Sequence, residues 1–345
     1  MTILNRSISK KNIIKNIITI VLIFKIIIVL PCTTFVIKSE NTLVFGRNLD
    51  WVSENGIIVV NQRNQLKTSI VFSPDLPITW TSKFGSVTFN QFGKELPFGG
   101  INEKGLVIEI MRSNAEYSKL DSRKAVNELQ WIQYQLDNSA SLNDVIENDK
   151  LVRLSMISQE LHFLVADKNG SVAVIEFIKG KMKIYKDDGL PFSVLENDAY
   201  ELSLNKYKNN KPCRFTTATN RVKNYNESKN KSAIDYSFNI LKDVALDGSW
   251  SIVYDIKNMT VNFITKSNQK RKTIDLKTFD FSCNKETLIY DLKLDDEGEI
   301  GDNFIKLTYE MNTSKMKDAM KKNNIMLPNE IKNLFYNYHK TVKCK

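Results

Sequence analysis

Runs that alternate with a period of two dominate the first third of this chain. TTFVIK, TLVFGRNL, GIIVVNQR and TSIVF read as short strands separated by polar turns. SKFGSVTFNQFG continues the pattern, and PFGGINEKGLVIEIM reads as a hairpin turning over Asn102, Glu103, Lys104 and Gly105. The period then changes. SRKAVNELQWIQYQLDN sets Ala125, Leu129, Ile132 and Leu136 on one helical face, and SLNDVIEN follows with Ser141 as N-cap. Strands return in LHFLVADKNGSVAVIEFIKGKMKIYKD around an Asp-Lys-Asn-Gly turn. Helical text fills roughly 196–245, SWSIVYDIKNMTVNFITK is a further hairpin, and Pro328 stands near the start of a last amphipathic segment. Blocks of antiparallel strands with helices grouped between them predict an α+β fold. Two antiparallel sheets would be covered by helix layers in one domain, without alternating βαβ units.

The N-terminus carries a different signal. The basic stretch RSISKKNIIK precedes NIITIVLIFKIIIVL, which together read as the first two regions of a secretory signal. Residues 1–31 are therefore expected to be a signal peptide or N-terminal membrane segment, and residues 32–345 the folded domain. Lys25 interrupts the apolar run and Pro31 stands where a small residue should precede a cut. An uncleaved anchor, with transient or permanent membrane association, is the alternative, although the run is short for a span. The expected location is exported, periplasmic or secreted, or membrane-anchored if the leader stays.

Charge and residue usage narrow the chemistry. The net charge is +10, but the leader holds five cations (Arg6, Lys10, Lys11, Lys15, Lys25) and no acid, which leaves about +5 for the rest. With no compact basic stripe interleaved with aromatics, no nucleic-acid partner is expected, and Lys266–Lys272 (KSNQKRK) reads as a solvated hairpin end. Only two histidines, His162 and His339, are available for a Ser-His-Asp triad or a His-based zinc site. Cys32, Cys213, Cys283 and Cys344 form no CxxC pair, so no metal cluster is expected, while one disulfide is compatible with export.

Cys32, at the junction of leader and domain, has three readings: a lipid attachment point, an incidental thiol, or a nucleophile that becomes N-terminal after cleavage. The sequence VLPC lacks the small residue that lipidation would need before the cysteine. The third reading makes the scarcity of histidine intelligible. An α-amine titrates near pH 8 and a thiol near 8.5, so an amine on the same residue can take the thiol proton. That chemistry asks for an acid to hold the amine, a cation to favour the thiolate and donors for the oxyanion. FGRNLDW sits on a strand expected to pair with the strand after Cys32 across the Ser39-Glu40-Asn41 turn, which returns Arg47 and Asp50 towards residue 32.

CTTF, FGRNLD, GINEKGL, LHFLVADKNGSVAVIEF, VLEND and CRF, in this order, resemble the choloylglycine hydrolase family of N-terminal-nucleophile hydrolases, which contains bile salt hydrolases and penicillin V acylases. The resemblance runs through most of the chain after residue 31 and is strongest to the exported, linear-amide branch. It implies a four-layer αββα sandwich and a cysteine amidase that hydrolyses linear amide C–N bonds through a thioester on Cys32, a chemistry that would need no metal and no cofactor. Its small-molecule substrate would be of the bile-salt-conjugate, penicillin V or N-acyl homoserine lactone type. By the same resemblance Asp50 anchors the amine, Arg47 sits beside the thiolate, Asn197 donates to the oxyanion and Arg214 closes the cluster. Arg112 stands where the family usually has Asn or Tyr as a second oxyanion donor, and Glu109 on that strand is expected to pair with Arg112 or face solvent. Trp51, Phe72, Trp80 and Phe84 fall where family loops line the acyl pocket, and Cys213 replaces a Ser as a buried thiol or an oxidation partner for Cys32. His162 is expected to be structural, and a homo-oligomer is implied by analogy alone. The alternative function is a membrane-tethered or lipidated binding protein with the same fold and no catalysis.

Overall fold

The structure is a computed structural model and describes residues 32–246 and 248–345; the leader, and with it the expectation of a signal peptide or membrane segment, lies outside the described residues. Two large sheets form its centre. The first has seven strands, in the order 194–195, β1 (Thr33–Lys38), β2 (Leu43–Leu49), 250–255, 260–265, 272–275 and 298–299, antiparallel except for the last pair. The second has nine, all antiparallel: 181–186, 172–178, 161–166, β4 (Val107–Arg112), β3 (Pro97–Asn102), 86–90, 57–61, 288–291 and 305–306. The predicted hairpins over 102–105 and 167–170 both form, and Gly105 adopts the left-handed φ of 80° that the tight turn needs. KSNQKRK joins the 260–265 and 272–275 strands as a hairpin end.

Helices cover the outer face of each sheet. α1 (Glu128–Asn138) packs on β3 and β4, followed by α2 (Leu142–Asn148), which Ser141 opens with a capping box completed by Asp144. On the first sheet, α3 (Tyr200–Lys208), α4 (Arg214–Lys223) and α5 (Ala233–Val244) form the other helix layer, with α4 and α5 against β1 and β2. Between the sheets Phe89 packs edge-on to Tyr254 and Phe263 and is tilted against Trp250. This is the four-layer αββα arrangement. The chain ends in a helical pair, α6 (Tyr309–Lys322) and α7 (Asn329–Thr341), with Pro328 at the N-cap of α7. A Cys283–Cys344 disulfide ties down the C-terminus. Among the described residues no helix is long and apolar enough to cross a membrane.

Two local readings are corrected. TSIVF is not a strand: the strand is 65–68, and the buried Ile70 gives its N–H to Gln130 Oε1 (2.6 Å), a side chain and not a neighbouring strand. Ala125 is not helical but belongs to a short strand, 124–127, parallel to 152–155. The helix starts at Glu128 because the Asn127 side chain accepts from the N–H groups of Leu129 and Gln130, satisfying two donors of the first turn.

Candidate active site

The β1–β2 pairing sets Thr33 opposite Asn48 and Thr34 opposite Arg47, so Cys32, one residue ahead of β1, meets the end of β2 and Asp50 beyond it. The Cys32 thiol is buried, and its Sγ lies 4.0 Å from the Asp50 backbone oxygen. The Cys32 nitrogen donates to Asn197 Oδ1 at 2.6 Å. Arg214, the first residue of α4, donates through Nη1 to the Cys32 carbonyl and to Thr33 Oγ1 (2.8 Å). Through Nη2 it reaches Asn197 Oδ1 (3.3 Å) and the Glu196 carboxylate (3.4 Å). Segments some 165 and 182 residues away thus grip the backbone of one residue.

Asn197 is oriented as acceptor towards the Cys32 nitrogen, while its Nδ2 donates to the Arg112 carbonyl at 3.1 Å. The resemblance implied a side-chain donor to the oxyanion; in this geometry that donor is engaged by the last residue of β4. The Asp50 carboxylate accepts from the backbone N–H groups of Leu246 (3.3 Å) and Gly248 (2.5 Å), which anchors the loop preceding the 250–255 strand.

Arg47 is buried and reaches across to the second sheet. Its Nε lies 2.6 Å from Glu109 Oε2, and its Nη2 donates to the Ile110 carbonyl at 3.0 Å. Tyr254 completes the pair by donating its hydroxyl to Glu109 Oε1 at 2.5 Å. The expectation for Glu109 is therefore corrected: it neither pairs with Arg112 nor faces solvent, but lies wholly buried between the sheets. Gly99 makes room for it on β3, since a Cβ there would lie 2.1 Å from the Glu109 Cδ. Burial pushes the Glu109 carboxyl up to about 7, against the lowering effects of Arg47 and Tyr254. Burial also pushes the Cys32 thiol up, and Arg47 is the strongest influence in the opposite direction.

Cys32 opens onto a cavity of about 680 Å³, counted out to its mouth. Its walls are mostly apolar: Leu49, Trp51, Phe92, Phe98, Ile110, Met111, Leu129, Leu161 and Ile325, with Arg47, Arg112, Glu128, Ser158, Gln159 and Asn323 as the polar members. Trp51 and Phe92 each pack against Phe98, with ring centroids 5.8 and 5.9 Å apart. Glu128 holds one wall in place, because its carboxylate accepts from the N–H groups of Ile157 (2.9 Å), Ser158 (2.6 Å) and Gln159 (2.9 Å).

Of the expected pocket residues, Trp51 and Arg112 line this cavity, whereas Phe72, Trp80 and Phe84 do not. Trp80 is buried beside α1, donating to Asp137 Oδ2 (2.7 Å) and packing on Tyr134. Phe84 lies under the Lys104 ammonium, and Phe72 belongs to a turn in which its carbonyl accepts from Asp75. Their aromatic character suited a pocket, but nothing local distinguished that from packing elsewhere. The sequence reading passed over Phe92, Phe98, Glu128, Leu129 and Ile325. Glu128, an acid on the first turn after an Asn cap, was the one with a visible signal. His162 is buried against Glu176 (3.0 Å), away from Cys32's contacts. Cys213 is a free thiol whose Sγ meets Thr216 Oγ1 at 3.3 Å, with no bond to Cys32. Among the described residues no group of three His, Cys, Asp or Glu side chains is placed to hold a metal ion.

Sheets, helix layers and a buried cysteine ahead of the first strand define the N-terminal-nucleophile hydrolase fold. Residues 32–230 match the model of the linear amide C–N hydrolases, choloylglycine hydrolase family, and the chain belongs to that family. It is a hydrolase of C–N bonds in linear amides. The chain is 24% identical to penicillin V acylase from Pectobacterium atrosepticum over 314 residues, 73% of this chain and 83% of the relative. The penicillin V acylase structure from Agrobacterium tumefaciens superimposes with a TM-score of 0.69 at 22% identity, covering 80% of this chain and 98% of the other. A variant of conjugated bile acid hydrolase from Clostridium perfringens does so with 0.63 at 17% identity, covering 77% and 98%.

Proposed function

We propose that the protein is an exported amidase in which Cys32, freed by cleavage of the Pro31–Cys32 bond, is the nucleophile. The observation that carries this reading is the treatment of one residue's backbone and thiol. The Cys32 nitrogen is held by Asn197, its carbonyl by Arg214, and its sulfur lies at the head of an apolar cavity under the field of Arg47. Once freed, the amine at that nitrogen takes the Sγ proton, and sulfur attacks the amide carbonyl. The amine then gives its proton to the leaving nitrogen, the C–N bond breaks and a thioester remains. Water, deprotonated by the same amine, hydrolyses the thioester and returns the thiol. Asn197 and Arg214 orient the nucleophile, and Arg47 offsets the burial that disfavours the thiolate. Asp50 holds the loop beside the thiol.

The cavity's apolar walls favour an uncharged, apolar acyl group. Arg112 among its lining residues suits a substrate with an anionic or strongly polar amine portion, as in acyl amino acids, penicillin V or acyl homoserine lactones. The Cys283–Cys344 disulfide supports an oxidising compartment, in keeping with the basic and apolar leader. Intact-mass measurement of the secreted protein is expected to give a chain beginning at Cys32 that hydrolyses phenoxyacetyl or acyl homoserine amides. Cys32→Ala is expected to fold and be inactive. A native protein that keeps its leader, carries an acyl group on Sγ, or stays active as Cys32→Ala overturns the mechanism.

A further inference from the structure

Of the residues lining the cavity, Asn323 and Ile325 alone come from beyond residue 230, in the loop joining α6 and α7. The local geometry aims Ile325 inward. Asn323 ends α6, with its N–H donating to Ala319 O (3.0 Å) and its side-chain Nδ2 donating to the same oxygen at 2.8 Å. Asn324 then takes a left-handed φ of 52°, and the Ile325 N–H closes back onto Met320 O at 2.8 Å. This six-to-one closure is a Schellman-type helix end, which fixes the following side chain over the last turn. Ile325 is half-buried, whereas its neighbour Met326 is 70% exposed.

The carrier of this loop is clamped to the body at several points. Asn312 of α6 accepts from the Lys94 N–H (2.8 Å) and meets His339 of α7 (3.1 Å). Tyr338 donates to the Thr68 carbonyl (2.7 Å), and the chain end is fastened by Cys283–Cys344. The loop is therefore a fixed wall, held by contacts to Lys94 and Thr68 and by the disulfide, none of which involves Cys32, Asn197 or Arg214.

We propose that Ile325, presented by the α6–α7 loop, is a specificity-determining wall of the acyl pocket that limits the size of the apolar acyl group accepted. The proposal rests on the reading of Cys32 as nucleophile for naming the occupant an acyl group, but its test does not need turnover. In the Cys32→Ala background, the affinities of a series of carboxylic acids, from butanoate to dodecanoate with phenoxyacetate alongside, are measured by calorimetry. Ile325→Ala is expected to raise the ratio of long-chain to short-chain affinity on the order of tenfold, the lower end of the discrimination that a single methylene commands in an apolar pocket. Ile325→Trp is expected to shift the ratio the other way, and Met326→Ala to leave it unchanged. Superimposable profiles for wild type, Ile325→Ala and Ile325→Trp overturn the wall. Hydrolysis of the corresponding amides by the cysteine-containing protein is scored separately. A shifted affinity profile without any hydrolysis sinks the nucleophile and keeps the wall, and hydrolysis with an unshifted profile does the reverse.

Discussion

Glu109 offers a quantitative test of how the buried pair beside Cys32 works. Burial raises its carboxyl from 4.5 to about 7, outweighing Arg47 and the Tyr254 hydroxyl. Between those two values the folded protein keeps a proton that the unfolded chain has lost, so unfolding releases it and stability falls as pH rises. The slope is about 1.4 kcal/mol per pH unit, and the full loss is about 3 kcal/mol once pH exceeds 7. Glu109→Gln keeps the shape and one donor–acceptor pair but has no proton to lose. Urea unfolding of both proteins at pH 5, 6, 7 and 8 isolates the effect, because every other titrating group is common to both. Relative to Glu109→Gln, wild type is expected to lose about 2–3 kcal/mol from pH 5 to pH 8, most of it below pH 7. A flat difference would refute the assignment, because a carboxylate that Arg47 keeps charged throughout this range exchanges no proton on unfolding. A functional readout follows the same charge. Arg47 acts on Cys32 without a neutralising partner when Glu109 is protonated, so Glu109→Gln is expected to shift the alkaline limb of kcat/KM downward in pH.

Two perturbations test the supports of the site. Gly99→Ala places a methyl 2.1 Å from the Glu109 Cδ, and the enforced displacement is expected to cost about 1–3 kcal/mol of stability together with activity. A urea midpoint unchanged from wild type would show that the carboxylate has room to move. Cys283→Ala removes a cross-link between residues 61 apart, expected to cost about 4 kcal/mol by loop-closure entropy, and reduction of the wild type should reproduce the loss in thermal melts.

Much of the fold was legible because its signals are local. The 102–105 turn, the Ser141 cap and the pairing of FGRNLDW with the strand after Cys32 all depend on residues a few positions apart, and these elements form as read. The failures have a common cause in contacts made at long range. TSIVF is apolar enough for a strand, yet Ile70 gives its N–H to the Gln130 side chain, so no ladder partner is needed. Glu109 looked like a solvent-facing residue or a neighbour's partner because a single sequence does not reveal that Arg47, Tyr254 and Gly99 surround it from other strands. The cavity wall at Ile325 lay furthest from view, about 293 residues from the thiol in sequence.

The site also depends on register. On β2, Arg47 and Leu49 point towards the second sheet, where Arg47 meets Glu109 and both line the cavity. Asn48 points the other way and donates its Nδ2 to the Leu241 carbonyl of α5 at 2.6 Å. On β1 the same alternation sends Thr34 to Met111 of β4 and Phe35 to the helix side, against Gly46. A slip of one residue between β1 and β2 exchanges these faces. It would bury Asn48 against Glu109 and drive the Arg47 guanidinium under α5, leaving a buried cation without its carboxylate partner, which costs several kcal/mol. The partner of each residue on both faces therefore enforces the register that brings Arg47 beside Cys32, so the packing that holds the sandwich together also fixes the charge environment of the thiol.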